Sequence, residues 1–202
     1  MHIDEFLECV KRGHVPPTPP DQLRYGSNPK YMTLRYEWRE ECIKRDMWAM
    51  VDLAWTKKLA DWINGRPVLE VMAGRGWLAK ALSFHGVPIH ATDDFSWDKT
   101  SGYGFDPVYP VQNCEAREAI ENSKMSQVLI MSWPPYDNPI AYEVIKRWGA
   151  NRPIVYIGEG EGGCNATDEF FEHFQESDEE LDFPMQQWHG LYDSVRVGNY
   201  EE

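Results

Sequence analysis

The chain has 202 residues, 42% hydrophobic and 26% charged, with a formal net charge of -13. That is the composition of one ordinary globular unit, and it excludes a disordered chain or a string of small modules. The charge is uneven, at +1 over residues 1–60, -3 over 61–120 and -11 over 121–202, which disfavours a phosphate-tracking nucleic-acid surface and reads as a solvated acidic face. No window approaches the ~18 apolar residues of a membrane span, and residues 1–13 lack the apolar run of a secretory signal, so a cytoplasmic protein is expected. Cys9, Cys42, Cys114 and Cys164 are too widely spaced for a disulfide scaffold or a paired-cysteine zinc site, and reduced thiols and no metal are expected.

In chain order, the pattern predicts a short helix over Ile3 to Lys11, ended by the stiff connector Pro16-Pro17-Thr18-Pro19-Pro20. From Tyr31 the texture turns helical. Trp48, Val51, Trp55, Leu59 and Trp62 recur at three- and four-residue steps and read as a core stripe, stopped at Asn64-Gly65-Arg66-Pro67. Beyond Pro67 short apolar runs alternate with helical stretches, the pattern of repeated strand-helix-strand units. Strands are predicted at Pro67 to Met72, Pro88 to Thr92, Val108 to Gln112, Gln127 to Ser132 and Pro153 to Gly158. Helices are predicted at Gly76 to His85, Cys114 to Asn122, Pro139 to Trp148 and Asp168 to Gln175, the last with Thr167 as N-cap. The tail reads as two extended runs, Phe183 to Trp188 and Ser194 to Tyr200, forming a closing antiparallel pair.

The first strand runs Val68-Leu69-Glu70-Val71-Met72 into Ala73-Gly74-Arg75-Gly76. Glycines at a strand-to-helix turn let a ligand approach the backbone, and the free amides of the helix start receive anionic groups. Seventeen residues after Gly76 stand Asp93 and Asp94, at a strand end where acids commonly accept hydrogen bonds from ribose hydroxyls. Glycines in this pattern also fit a dinucleotide fingerprint. A carboxylate inside an apolar strand needs partners, however, and Glu70 is such a carboxylate. After the fourth strand, Ser132-Trp133-Pro134-Pro135-Tyr136-Asp137 gives a rigid exit that aims side chains over the strand ends. After the fifth, Gly158-Glu159-Gly160-Glu161-Gly162-Gly163-Cys164 reads as a permissive loop over substrate, with Glu159 or Glu161 placed to take a proton. Trp97 and Trp133 stand just beyond strand ends, where an aromatic face holds a sulfonium or ammonium.

Glu70 four residues before Gly74, followed by Ala73-Gly74-x-Gly76, resembles motif I of the class I S-adenosylmethionine (SAM)-dependent methyltransferases. Trp133-Pro134-Pro135-Tyr136 resembles motif IV of the amino-group methyltransferases, with Trp133 standing where that family has a polar acceptor. The resemblance covers roughly Pro67 to Gly163. It implies an α/β, Rossmann-like, seven-stranded and mostly parallel sheet with an antiparallel last strand. Residues 1–66 would form a helical N-terminal extension acting as a cap, and residues 67–202 the SAM-binding domain. It further implies SAM as cofactor and S-adenosylhomocysteine as product, held by Glu70, Ala73, Gly74, Gly76, Asp93, Asp94, Glu115, Ser132, Trp133 and Pro134. Glu115 would contact the adenine, and Tyr136 would stack on the substrate. Asp137, Glu159 and Glu161 are the candidate proton acceptors, and the methyl acceptor is a small molecule or a protein. Three alternatives stay open: a nucleobase amino methyltransferase, a nicotinamide-dependent oxidoreductase built on Gly74, Gly76 and Ala79, and a non-catalytic SAM-binding module.

Overall fold

The computed structural model describes residues 1–24, 29–97, 106–179 and 181–202. Four helices come first: α1 (Ile3–Lys11), α2 (Asp21–Arg24), α3 (Pro29–Ile43) and α4 (Leu53–Ile63). Strands and helices then alternate as β1 (Val68–Val71), α5 (Trp77–Phe84), β2 (Ile89–Asp93), β3 (Val111–Asn113), α6 (Ala116–Asn122), β4 (Val128–Ser132), α7 (Ile140–Trp148) and β5 (Ile154–Gly158). The chain closes with α8 (Asp168–His173), β6 (Phe174–Glu176) and β7 (Ser194–Tyr200). All seven strands form one sheet in the order β3-β2-β1-β4-β5-β7-β6. Strands β1 to β5 pair in parallel, and β7 runs antiparallel to both β5 and β6. The expected Rossmann-like architecture is therefore present.

Strand side chains alternate between faces, and so the buried strands split their residues between two helical layers. Val68, Val128, Ile130, Val155 and Ile157 face one cluster with Ile3 and Phe6 of α1, Trp55, Leu59 and Ile63 of α4, and Leu78 and Leu82 of α5. Leu69, Val71, Leu129, Met131, Ile154 and Tyr156 face the other, against α6, α7 and Phe170 of α8. The helices of residues 3–63 are thus one of the two layers. Among the described residues no helix is long and apolar enough to cross a membrane, and all four cysteines are free.

Several local expectations are corrected. Helix α4 begins at Leu53 because the Asp52 carboxylate accepts from the Ala54 and Trp55 amides and stops the helix propagating backwards. Trp48 therefore lies in a loop and is 41% exposed, outside the predicted core stripe. Thr167 does sit at the N-cap of α8, but its hydroxyl makes no capping bond. That helix ends at His173, and the partner of β7 is Phe174–Glu176. The run Phe183 to Trp188 forms no strand: the Met185 amide bonds back to the Phe183 carbonyl at 2.7 Å, which turns the chain out of ladder geometry. Strand β3 lies at Val111–Asn113, a few residues later than expected.

Candidate functional site

In a doubly wound sheet the crevice opens where strand order reverses, at the carboxyl ends of the two strands on either side. Here those strands are β1 and β4. A cavity of about 990 Å³ lies there, lined by the residues leaving β1 (Met72 to Gly74), β2 (Asp93, Asp94, Ser96, Trp97) and β4 (Ser132 to Tyr136). Arg39, Ile43 and Asp46 to Ala49 cover it from the helical layer, and Cys164, Asn165 and Leu191 close the far side.

Backbone conformation marks the same place. Among the described residues seven non-glycine positions have positive φ, and one of them, Asn64, is the left-handed cap of α4. The other six are Asp46, Met72, Phe95, Trp133, Asp137 and Ala166. Asp46, Met72 and Trp133 line the cavity, and the remaining three are direct chain neighbours of lining residues. Each such residue costs about 1–3 kcal/mol, and strain of this kind gathers where a site must be held in shape.

Glu70 is 1% exposed and lines the cavity floor. Its Oε2 has no hydrogen-bond partner. Burial pushes the carboxyl up to about 8, opposed by the Ala79 backbone amide and reinforced by Asp93. An unpartnered buried carboxylate oxygen at a ligand cavity is a receptor for a cation or a donor. Asp93 has a different occupation. Its Oδ2 accepts from the Gly74 amide at 2.7 Å, and its Oδ1 accepts from the Phe95 amide and the Trp97 indole. Burial raises its carboxyl and these donors pull it back. Asp93 therefore ties the glycine turn to the end of β2, while the exposed Asp94 beside it commits one oxygen to the Ser96 amide.

Gly74 lines the cavity at φ 55°. Gly76 does not line it; a Cβ there would meet Val111 Cγ2 at 2.9 Å and Tyr109 Cβ at 3.0 Å, so this glycine serves the packing of α5 against the β3 segment. Glu115 lines the cavity as the N-cap of α6, bonded to the Arg117 and Glu118 amides and to the Arg117 guanidinium at 2.7 Å. Ala73, Asp94, Ser132, Trp133 and Pro134 also line it. Of the four catalytic candidates only Tyr136, 69% exposed, is on the lining. Asp137 and Glu161 are exposed and off it. Glu159 is buried, its two oxygens accepting from the Cys164 and Tyr192 amides. With the Tyr156 hydroxyl donating to the Glu159 carbonyl at 2.6 Å, it pins the glycine-rich turn that the sequence suggested would be free.

On the side of the cavity beyond β4, sequence reasoning named Trp133 but missed the residues around it. The Trp133 indole stacks on Trp48 at 5.7 Å between centroids, and the Arg39 guanidinium lies 5.6 Å and 6.0 Å from their ring centroids. The Trp133 Nε1 donates to Asp193 Oδ2 at 3.2 Å, while Asp193 Oδ1 is buried without a partner. Burial pushes the Asp193 carboxyl up to about 6, with the Trp133 N–H opposing. Arg39 comes from α3 and Trp48 and Asp193 from two separate loops, and nothing local in the sequence connects them. Among the described residues no cluster of histidine, cysteine or acidic side chains has metal-binding geometry.

No family model and no curated protein matches the sequence. Solved structures do. A point mutant of MtNAS in complex with S-adenosylmethionine aligns over 98% of this chain and 73% of its own, with TM-score 0.51 and 12% identity. The Burkholderia thailandensis 1,6-didemethyltoxoflavin-N1-methyltransferase, with its substrate and S-adenosylhomocysteine bound, aligns over 93% and 94%, with TM-score 0.48 and 18% identity. A TehB-like SAM-dependent methyltransferase from Corynebacterium glutamicum aligns over 86% and 100%, with TM-score 0.48 and 16% identity. The chain accordingly shares its seven-stranded Rossmann-like fold with the S-adenosylmethionine-bound MtNAS protein.

Proposed function

We propose that this chain is a SAM-dependent methyltransferase acting on a small-molecule or protein acceptor. The observation that carries the reading is Glu70: a buried carboxylate oxygen without a partner, facing a ligand-sized cavity beside the Ala73-Gly74 turn. Bound there, SAM supplies a methyl group made electrophilic by a sulfonium. Glu70 holds the cofactor's amino-acid end, the Ala73 and Gly74 backbone gives close approach, and Asp94 accepts from the ribose. Asp93 positions Gly74. Glu115 and Cys114 border the adenine end. Ser132, Trp133, Pro134 and Tyr136 separate cofactor from acceptor, and the enzyme's main contribution is to hold the two reactants in line. Residues 1–66 act as the helical cover through Arg39 and the loop at Asp46 to Ala49. The cytoplasm is the proposed location, on the charge pattern and free thiols.

A nucleobase amino methyltransferase is less well supported. A target amine needs acceptors in the Trp133-Pro134-Pro135-Tyr136 segment, and the Pro134 carbonyl there already accepts from Asn165 Nδ2 and the Ala166 amide, both at 3.4 Å. The Trp133 N–H only donates, and it is committed to Asp193. Calorimetric titration with SAM, S-adenosylhomocysteine and NAD tests the proposal. Micromolar binding of the first two, weakened in Glu70→Ala and Asp94→Ala, is expected. Binding of NAD alone, or of none, refutes the reading, and binding without turnover on any acceptor would favour the non-catalytic module.

A further inference from the structure

We infer that the acceptor subsite takes a planar aromatic molecule bearing an oxyanion, a carboxylate or acidic phenolate, held by Arg39 against the stacked faces of Trp133 and Trp48. The inference rests on the methyltransferase reading and names its substrate class.

Three observations converge on it. Trp133 lines the cavity with its one polar side-chain atom turned away to Asp193, so its side chain offers the cavity an aromatic face and no hydrogen-bond acceptor. Trp48, 41% exposed, extends that face, and Tyr136, 69% exposed, adds a further aromatic wall. Flat aromatic walls select flat ligands.

Arg39 is the second observation. It lines the cavity over both indoles, and its Nε is buried without an acceptor. Among the described residues it makes no ion pair. Of the two acids behind it, Glu159 accepts from two backbone amides, and Asp193 accepts from Trp133 through Oδ2 and feels the Arg39 charge without an ion pair to it. Neither Asp193 nor Glu159 lines the cavity. A guanidinium with unused donors beside an aromatic surface is the recognition element for a planar carboxylate or phenolate.

The third observation concerns protons. Among the described residues the carboxylates lining the cavity are Asp46, Glu70, Asp93, Asp94, Glu115 and Glu143. Asp46 pairs with Arg75, Glu115 and Glu143 with Arg117, and the others lie on the cofactor side. Asp193, which accepts from the Trp133 indole, lies off the lining, so among the described residues no lining carboxylate is left on the Trp133 side to take a proton from a neutral nucleophile. An acceptor that arrives already ionised needs none. Its oxygen forms the new bond to the methyl carbon, the carbon–sulfur bond breaks with its electron pair remaining on sulfur, and both products leave without a proton transfer.

The test uses the full chain saturated with S-adenosylhomocysteine and three probes on one scaffold: 2-naphthoate, 2-naphthamide and 2-naphthylmethylammonium. Quenching of tryptophan fluorescence and calorimetry report binding. Naphthoate is expected to bind at least tenfold more tightly than the amide, with Arg39→Gln abolishing that preference and Arg39→Lys restoring part of it. Equal binding of the three probes, preference for the ammonium, or an anion preference unchanged in Arg39→Gln would overturn the assignment. Failure of S-adenosylhomocysteine itself to bind would instead refute the cofactor reading, so the two outcomes are distinguishable.

Discussion

Replacing Glu70 by Gln should weaken cofactor binding and yet stabilise the ligand-free protein. Burial holds the Glu70 carboxyl at about 8 in the fold, against an ordinary value of 4.5. Between these two values the folded state keeps a proton that the unfolded chain has released, so stability is full below 4.5 and declines as pH rises toward 8. At about 1.4 kcal/mol per pH unit, the loss by pH 7 is about 3 kcal/mol. A Gln at this position escapes that titration while leaving part of its amide without partners. The net gain at pH 7 is therefore about 1–3 kcal/mol, a rise in Tm of roughly 3–10 °C for a chain of this length. The gain should vanish near pH 4.5, which separates it from a packing effect. Ligand binding gives the complementary reading. At pH 7 a group titrating near 8 is protonated in about nine molecules of ten, so receiving an ammonium should release about 0.9 proton. Calorimetry of SAM binding in buffers of different ionisation enthalpy measures this directly. Wild type should show the release, and Glu70→Gln should show none, with affinity lower by about a hundredfold. A variant with unchanged Tm at pH 7, unchanged affinity and the same proton count would refute the role given to Glu70.

Other perturbations separate packing from binding. Gly76→Ala places a methyl group at φ 79° and 2.9 Å from Val111 Cγ2; denaturant unfolding should show a loss of about 1–3 kcal/mol, with SAM affinity per folded molecule little changed. Trp133→Phe removes the only donor to the buried Asp193 carboxylate among the described residues and should cost about 1–3 kcal/mol. Because the Asp193 carboxyl then rises above about 6, the cost should be larger at pH 7 than at pH 5, and equal losses at both would count against the argument. Arg75→Met breaks a 2.7 Å pair with Asp46 in which the arginine is 3% exposed. It should destabilise by about 3–5 kcal/mol, and a double-mutant cycle with Asp46→Asn should recover much of that loss.

Much of the cavity at the ends of β1 and β2 was readable because its determinants are local. Strands β1, β2, β4 and β5 are apolar runs bounded by turn residues, and Glu70, Gly74 and Asp93 follow at strand ends within short spans of chain. Beyond β4 only Ser132 to Tyr136 was readable, since Arg39, Trp48, Asn165, Leu191 and Asp193 meet only after the sheet has formed. Glycine spacing misled in two places. Gly76 answers to Tyr109 and Val111 and not to a ligand, and the carboxylate of Glu159, set among glycines, is a buried latch. Periodicity misled at Trp48, where the apolar repeat extends backwards past the Asp52 cap at which the helix starts. A three-residue strand such as β6, continuing directly from the end of α8, has no pattern of its own to recognise.

The two-layer arrangement also bears on how the chain comes off the ribosome. The apolar faces of α1 and α4 emerge first, but the cluster they belong to is completed by Val128 and Ile130 of β4, Val155 and Ile157 of β5, and finally Trp188 and Val197. Loop closure over such distances is slow compared with helix formation. During synthesis, at about 5–20 residues per second, Phe6, Trp55 and Leu59 therefore stay without their strand partners for several seconds. In that interval the nascent chain offers amphipathic helices to whatever hydrophobic surface is nearby, and its yield in a cell should depend on holding chaperones more than the native stability alone would suggest.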